Sequence, residues 1–397
     1  ASLVSRSLPC AVTAGCVLLL GVTVAHADRL DKRPVVEDTR LELSLDGPPA
    51  ETAIAVARAL HRLPGLFFAG PAGTNGTVAL PSLQSECSVA ASGLAVVAGF
   101  NDFRGSTSFS GVIRSADGGD TFSDVGQLPT AGGTSAVSGD PVLAVYNPPV
   151  GPPVFYYASI FRPATGQTSL SIHRSTDGGA TWAGPFEVTS ATHPTTTDQV
   201  QDKEWMTVDP ETGRLFITWT RFKLVAPTIQ MSVTYSDDAA TGAPPTWSTA
   251  VVLGQRSGID GQGSVVACDP SGPNVYVAWR STPASGFRQI STSISADNGL
   301  NWPALPTDLS PSFKEVLPAY GFDRFNSFPS LAVNPSRGGV ELVYAASVDG
   351  TPASDFGDVY YRRSITGGAS WSLIRSGVPP VERRTGYRSI GVSPSFT

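Results

Sequence analysis

Along most of the chain the hydrophobic residues fall in short runs of four or five, bounded by turn-forming residues, and the runs come in pairs. Pro141-Val-Leu-Ala-Val145 precedes Val154-Phe-Tyr-Tyr157, and Trp205-Met-Thr-Val208 precedes Leu215-Phe-Ile-Thr-Trp219. Ser264-Val-Val-Ala-Cys268 precedes Val275-Tyr-Val-Ala-Trp279, and Ser330-Leu-Ala-Val333 precedes Val340-Glu-Leu-Val-Tyr344. Short runs rich in β-branched and aromatic residues predict strands rather than helices. Asp209-Pro210, Asp269-Pro270 and Asn334-Pro335 lie between the members of three pairs and predict hairpin turns there. A third run follows each pair (Ser169-Leu-Ser-Ile-His173, Gln289-Ile-Ser-Thr-Ser293, Val359-Tyr-Tyr-Arg362), and a fourth strand follows the next turn.

That next turn has a repeated spelling. Ser115-Ala-Asp117-Gly-Gly-Asp-Thr121-Phe122, Ser175-Thr-Asp177-Gly-Gly-Ala-Thr181-Trp182, Ser295-Ala-Asp297-Asn-Gly-Leu-Asn301-Trp302 and Ser364-Ile-Thr366-Gly-Gly-Ala-Ser370-Trp371 align with one another. Ser236-Asp-Asp238 with Thr246-Trp247 is an interrupted fifth copy. The leading serines at 115, 175, 236, 295 and 364 set a period of about 60 residues, which fits a propeller blade. An Asp ahead of Gly-Gly accepts hydrogen bonds from the turn's own backbone N–H groups, and the glycines take positive φ at little cost. The closing aromatic anchors the hairpin on the sheet. Asp117, Asp177, Asp238 and Asp297 are therefore read as turn staples without a catalytic role.

The pattern Ser-x-Asp-x-Gly-x-Thr-Trp is the Asp box, also called the bacterial neuraminidase repeat. On these motifs the chain resembles the sialidase (neuraminidase) superfamily over roughly residues 80–397. The resemblance implies an all-β fold, a six-bladed β-propeller of four-stranded antiparallel blades. Five blades are legible; Arg388-Ser-Ile-Gly-Val-Ser-Pro394 matches the first strand of another, so a truncated sixth blade is expected.

The start of the chain reads differently. Arg6 precedes the apolar run Ala11–Ala25, and Ala25-His26-Ala27 is a small-x-small cleavage signal, so residues 1–27 are expected to be a signal peptide. Residues 28–79 form an extension to which the pattern assigns no fold. A secreted or periplasmic protein follows, with no stable membrane insertion after cleavage. Loss of the leader leaves Cys87 and Cys268, which are read as two small buried residues rather than a disulfide framework or a metal site. No metal and no cofactor is expected. A formal charge of −6 supplies no basic footprint, which argues against nucleic acid as a partner.

Antiparallel strands alternate direction, so the first turn of each blade and the box turn share one end. The resemblance to sialidases implies that candidate chemistry lies at the other end, just after strand two and just before strand one. Strand two is followed by Asn101-Asp102-Phe103-Arg104, Arg162, Arg221, Arg280 and Asp349; strand one is preceded by Asp140, Asp202-Lys203-Glu204, Asp260 and Gln262, Arg324-Phe-Asn326, and Tyr387-Arg388. Arg162, Arg221 and Arg280 are expected at one structural position on three blades. They would form an anion-binding arc, or else pair with carboxylates such as Asp202 and Asp260. The resemblance implies Asp102 as acid/base, Tyr387 as nucleophile and Glu204 as its activating partner. The superfamily's Arg-Ile-Pro signature ahead of the first blade is absent, and Leu80-Pro-Ser-Leu-Gln-Ser-Glu86 stands in that region.

Trp205, Trp219 and Trp279 alternate with aliphatic residues and are read as inter-blade core. The resulting expectation is a secreted exo-α-sialidase-type glycoside hydrolase acting on terminal sialic acid or a related anionic sugar. Two alternatives stand beside it: a non-catalytic propeller binding glycans or a protein, and a polysaccharide hydrolase or lyase using Asp102 and Glu204.

Overall fold

The computed structural model describes residues 10–12, 16–18, 84–104, 107–133, 135–165, 168–189, 199–224, 228–254, 260–283, 287–314, 327–334, 339–346, 358–372 and 375–376. The chain divides into two units, residues 1–63 and 64–397. In the first, Cys10–Val12 and Cys16–Leu18 pair antiparallel. The rest of the expected leader and extension, and the expected sixth-blade strand at Arg388–Pro394, lie outside the described residues.

The second unit is built of five antiparallel sheets in chain order, each a propeller blade. Blade I holds Gln84–Ser92, Ala95–Asp102, Ser110–Ser115 and Ser123–Gln127. Blade II holds Val154–Arg162, Ser169–Ser175 and Ala183–Glu187, with Ala136–Val137 and Val142–Tyr146 together forming its interrupted first strand. Blade III holds Gln199–Val208, Leu215–Lys223, Thr228–Ser236 and Val251–Leu253. Blade IV holds Asp260–Cys268, Val275–Thr282, Gln289–Ser295 and Thr307–Asp308; blade V holds Ser330–Asn334, Gly339–Ala346, Asp358–Ser364 and Arg375–Ser376. The first strands of successive blades lie side by side, which makes them the innermost strands of the propeller.

Packing between blades explains why the second strands read as continuous apolar runs. Both faces of each second strand are buried, so neither face calls for polar residues. Phe155 and Tyr157 turn toward Val97 and Val112 of blade I, whereas Val154, Tyr156 and Ala158 turn toward Leu215, Ile217 and Trp219 of blade III. Phe216 then joins Val266, Val275, Val277 and Trp279 in the seam with blade IV. Ala278 and Ile290 meet Leu342 and Tyr344 in the seam with blade V. Each large side chain buried in this way contributes roughly 1.5–3 kcal/mol. Trp219 and Trp279 are core residues, as their spacing suggested.

The Asp boxes form the turns their spelling implies. In blade I, Gly119 N donates to Ser115 Oγ at 2.9 Å and Thr121 N donates to Asp117 Oδ1 at 2.9 Å. Asp177 and Asp297 accept from Thr181 N and Asn301 N at 2.9 Å each. In the interrupted copy Asp238 accepts from Thr246 N at 2.7 Å, and in blade V the Thr366 hydroxyl takes the Asp's place for Ser370 N at 2.8 Å. Backbone bonds from Gly118 N to Leu94 O and from Asn298 N to Pro273 O tie the box to its blade's first turn, so both turns share one end.

The box also closes the seams. A Cβ on Gly179 would lie 2.6 Å from Val97 of blade I, and one on Gly299 would lie 2.4 Å from Phe216 of blade III. Gly119 shares the positive φ but has nothing within 4 Å. Gly179→Ala and Gly299→Ala are each expected to cost roughly 2–4 kcal/mol, against roughly 1 kcal/mol for Gly119→Ala, from strain plus overpacking versus strain alone. Denaturant titration checks this; equal losses at all three positions would exclude a seam role for the box.

Candidate functional site

Each of the first four innermost strands breaks its ladder at the end away from the boxes. Blade I shifts register between Ser85 and Ser88, blade III between Asp202 and Trp205, and blade IV between Gln262 and Val265. In blade II the first strand is interrupted between Val137 and Val142. At each break one residue takes a left-handed conformation: Glu86 (φ 51°), Asp140 (φ 55°), Lys203 (φ 53°) and Gly263 (φ 67°). In blade IV the missing Cβ has a purpose, since a side chain there would strike the Phe328 ring at 2.2 Å. In the other three blades a charged residue holds a backbone conformation that costs of order 1–3 kcal/mol, and such strain clusters at functional sites.

These breaks surround a cavity of ≈ 460 Å³ at the propeller axis, lined from all five blades. Its wall includes Glu86 and Cys87, Asp140, the segment Asp202 to Trp205, Gln262 and Phe328. Lys203 Nζ donates to Glu86 Oε2 at 2.8 Å and reaches Asp140 Oδ2 at 3.4 Å, joining three blades. Burial tends to lower the Lys203 pKa, but the Asp140 and Glu86 carboxylates outweigh it and hold it above the usual value. Burial pushes the Asp140 carboxyl up to about 7, helped by its hydrogen bond with Glu86 and opposed by Lys203. Glu204 is 3% exposed, and neither carboxyl oxygen has a hydrogen-bond partner among the described residues. Burial first, and then the Asp140 charge, raise its pKa well above the usual carboxylate range.

The cavity wall therefore holds a buried carboxyl whose pKa is raised well above the ordinary carboxylate range, beside a second carboxyl that titrates near neutrality. That is a set of groups suited to giving and taking a proton. Trp205, 37% exposed, lies on the wall next to Glu204. This corrects its reading as core. The register shift between Asp202 and Trp205 takes this tryptophan out of step with the alternation that buries Trp219.

The other expected site residues are dispersed. Asp102 ends strand two of blade I with 0% exposure, bound by Arg104 N at 3.0 Å and by Arg104 Nε at 2.6 Å. Arg104 also forks onto Asp124, so Asp102 belongs to a local ion-pair cluster and is not among the cavity wall residues. The three arginines do not share one position. Arg280 pairs with Gln262 at the edge of the blade IV break, whereas Arg221 pairs with Gln201, one residue beyond the edge of the blade III break. Arg162 pairs with Ala136 and is exposed. A one-residue stagger turns side chains to opposite faces of a sheet. Arg221 packs over Trp219, with ring centroid 5.6 Å from its guanidinium carbon, toward blade II. Arg280 packs over Phe328 of the blade V side at 5.3 Å and donates to Gln262 Oε1 at 3.0 Å. The described geometry gives no three-arginine arc. Tyr387 lies outside the described residues.

Glu86 was not singled out by sequence, and Asp140 and Lys203 were named only by position. Their signal is periodic: the left-handed residues recur at 86, 140, 203 and 263, close to the blade period. Cys87 and Cys268 are free thiols; Cys268 is partly buried as expected, but Cys87 is exposed and lies on the cavity wall. No group of three or more His, Cys, Asp or Glu residues with metal-holding geometry occurs among the described residues. No helix among them is long and apolar enough to cross a membrane.

Fold and site together define a β-propeller with an acidic axial cavity, and solved structures resemble the fold at low identity. An α-L-arabinofuranosidase from Fusarium graminearum matches over 72% of this chain and 79% of its own, with TM-score 0.49 and 13% identity. A Hadza microbial sialidase matches over 74% of this chain and 58% of its own, with TM-score 0.49 and 17% identity. A Dyadobacter fermentans protein of unknown function matches over 74% and 83%, with TM-score 0.45 and 17% identity. At these identities the likeness is one of fold alone. No protein-family model matches the chain, and no curated protein matches it.

The buried carboxyls carry a stability signature. A carboxyl whose native pKa is raised stabilises the fold below the ordinary carboxylate range, and that contribution is lost as pH rises through the native value. Wild type should therefore lose stability as pH rises above about 4, the Asp140 contribution being lost as pH passes about 7 and the Glu204 contribution as pH rises toward its raised native pKa. Glu204→Gln, neutral throughout, is expected to match wild type near pH 4 and exceed it by roughly 1–3 kcal/mol at pH 8. Thermal melts across that range check this; parallel curves would exclude a buried, proton-holding Glu204.

Proposed function

We propose that the protein is a secreted or periplasmic glycoside hydrolase whose reaction centre is the axial cavity. The observation that carries this reading is Glu204, a buried carboxyl on the wall of an open cavity with neither oxygen partnered among the described residues. In the reaction, Glu204 donates its proton to the glycosidic oxygen as the bond to the anomeric carbon breaks. Asp140, ionised for part of the time near neutral pH, receives the proton of the attacking water. One protonated and one ionised carboxyl is the division of labour that glycoside hydrolysis needs. Lys203 holds Asp140 and Glu86 in place, and the exposed face of Trp205 offers a platform for the apolar face of a sugar ring. The leader-like segment before Asp28 supports export.

A sialidase form of this reading has one specific support besides the Asp boxes: Arg280 stands behind Gln262 and Phe328, two residues of the cavity wall. It assigns Asp102 as acid/base and Tyr387 as nucleophile, and it needs Arg104 to release Asp102. The test is turnover of aryl glycosides, neutral sugars and an α-sialoside, by the full chain and by Glu204→Gln and Asp102→Asn. Loss of about 100-fold or more in kcat in Glu204→Gln alone, with activity falling as pH rises past the Glu204 pKa, is expected for a cavity acid. Equal loss in both variants, on the α-sialoside only, would favour the sialidase form. Saccharide binding without turnover of any glycoside would leave a non-catalytic glycan-binding propeller and overturn the hydrolase.

A further inference from the structure

We infer that the axial cavity takes uncharged sugars and rejects those bearing a carboxylate. This rests on the carbohydrate reading of the cavity and adds the class of substrate to it. Among the described residues, Glu86, Asp140, Asp202 and Glu204 line the cavity against one basic side chain, Lys203, so the wall stays negative even with Glu204 protonated and Asp140 partly so. The Lys203 ammonium is already engaged, at 2.8 Å from Glu86 and 3.4 Å from Asp140, so two carboxylates compete with any incoming anion for it.

Among the described residues, Arg104, Arg221 and Arg280 do not reverse this balance. Arg104 is held by Asp102 and Asp124, and Arg221 is turned toward blade II over Trp219. Arg280 lies behind the wall, held by Gln262 and stacked on Phe328. A sugar carboxylate in the cavity would be desolvated beside the Glu86 and Asp202 carboxylates and would find no free guanidinium or ammonium among the described residues. A sugar hydroxyl carries no charge for the wall carboxylates to repel, and it can donate a hydrogen bond to the exposed Glu86 carboxylate. Glu86, Asp140 and Lys203 thus act as the specificity set.

The experiment measures binding calorimetrically to the full chain, using saccharide pairs that differ by one acidic residue. Lactose is compared with sialyllactose, and a xylo-oligosaccharide with its uronic-acid-bearing form. In whichever pair binds, the neutral member is expected to bind at least about tenfold tighter at 20 mM NaCl, with the gap narrowing at 500 mM as the repulsion is screened. Glu86→Gln, which removes one carboxylate and relieves Lys203 of it, is expected to shrink the gap further. An acidic member that binds as tightly as its neutral partner, or loses affinity with added salt, would overturn the inference while leaving a carbohydrate site intact. Failure of every saccharide to bind, with no glycoside turned over, would overturn the carbohydrate reading and this inference with it.

Discussion

An innermost propeller strand has only one neighbour to bond within its own sheet, and in this protein it gives up part of that ladder beside the axis. The residues released at Glu86-Cys87, Asp140, Lys203-Glu204 and Gly263 no longer answer to the sheet's alternation. They turn into the central space, which is how a protein with apolar seams comes to have an acidic interior cavity. The left-handed conformations at Glu86, Asp140 and Lys203 cost backbone energy, and the ion pairs from Lys203 to the other two offset part of that cost. Strain and charge cluster are one feature of the fold, so a change to one of the three residues should be felt by the other two.

The rigidity that lets the chain hold such breaks comes from the other end of each blade. There the Asp boxes give the turn amides short, charge-assisted hydrogen bonds, and Asp297 is drawn down to about 2 by its bonds from Ser295 and Asn301. The box glycines at 179 and 299 let the turn seat against the preceding blade without a Cβ in the way. Trp182, Trp302 and Trp371 each donate their indole N–H to the box glycine carbonyl, which pins the aromatic over the same seam. One end of the propeller is thus over-determined by repeated local chemistry, and the irregularity is confined to the other.

This division decides what could be read from the sequence. Strands, blades and boxes were legible because each repeats with a period set by local rules: apolar alternation, turn chemistry and a closing aromatic. Trp219 and Trp279 were correctly read as core for the same reason. The cavity was harder, because a one-residue break changes which face a side chain takes without changing composition. Trp205 was assigned to the core, and Arg221 and Arg280 were given one structural position, because counting residues cannot see the register shifts at Asp202/Trp205 and Gln262/Val265. Glu204 was reached by position, and the structure adds its burial and its unpartnered oxygens. Glu86 became visible only when its left-handed backbone was placed beside those of Asp140 and Lys203.

If the axial cavity is where the protein meets its ligand, a bulky group on Cys87 should block it. This exposed thiol lies on the cavity wall, whereas Cys268 is partly buried and its pKa is pushed up by burial. The full chain, reacted under native conditions with a bulky maleimide until Cys87 is fully modified, should lose saccharide binding in proportion to labelling at that residue. Cys87→Ser treated in the same way should keep it. Full affinity in protein stoichiometrically labelled at Cys87 would exclude the axial cavity as the ligand site.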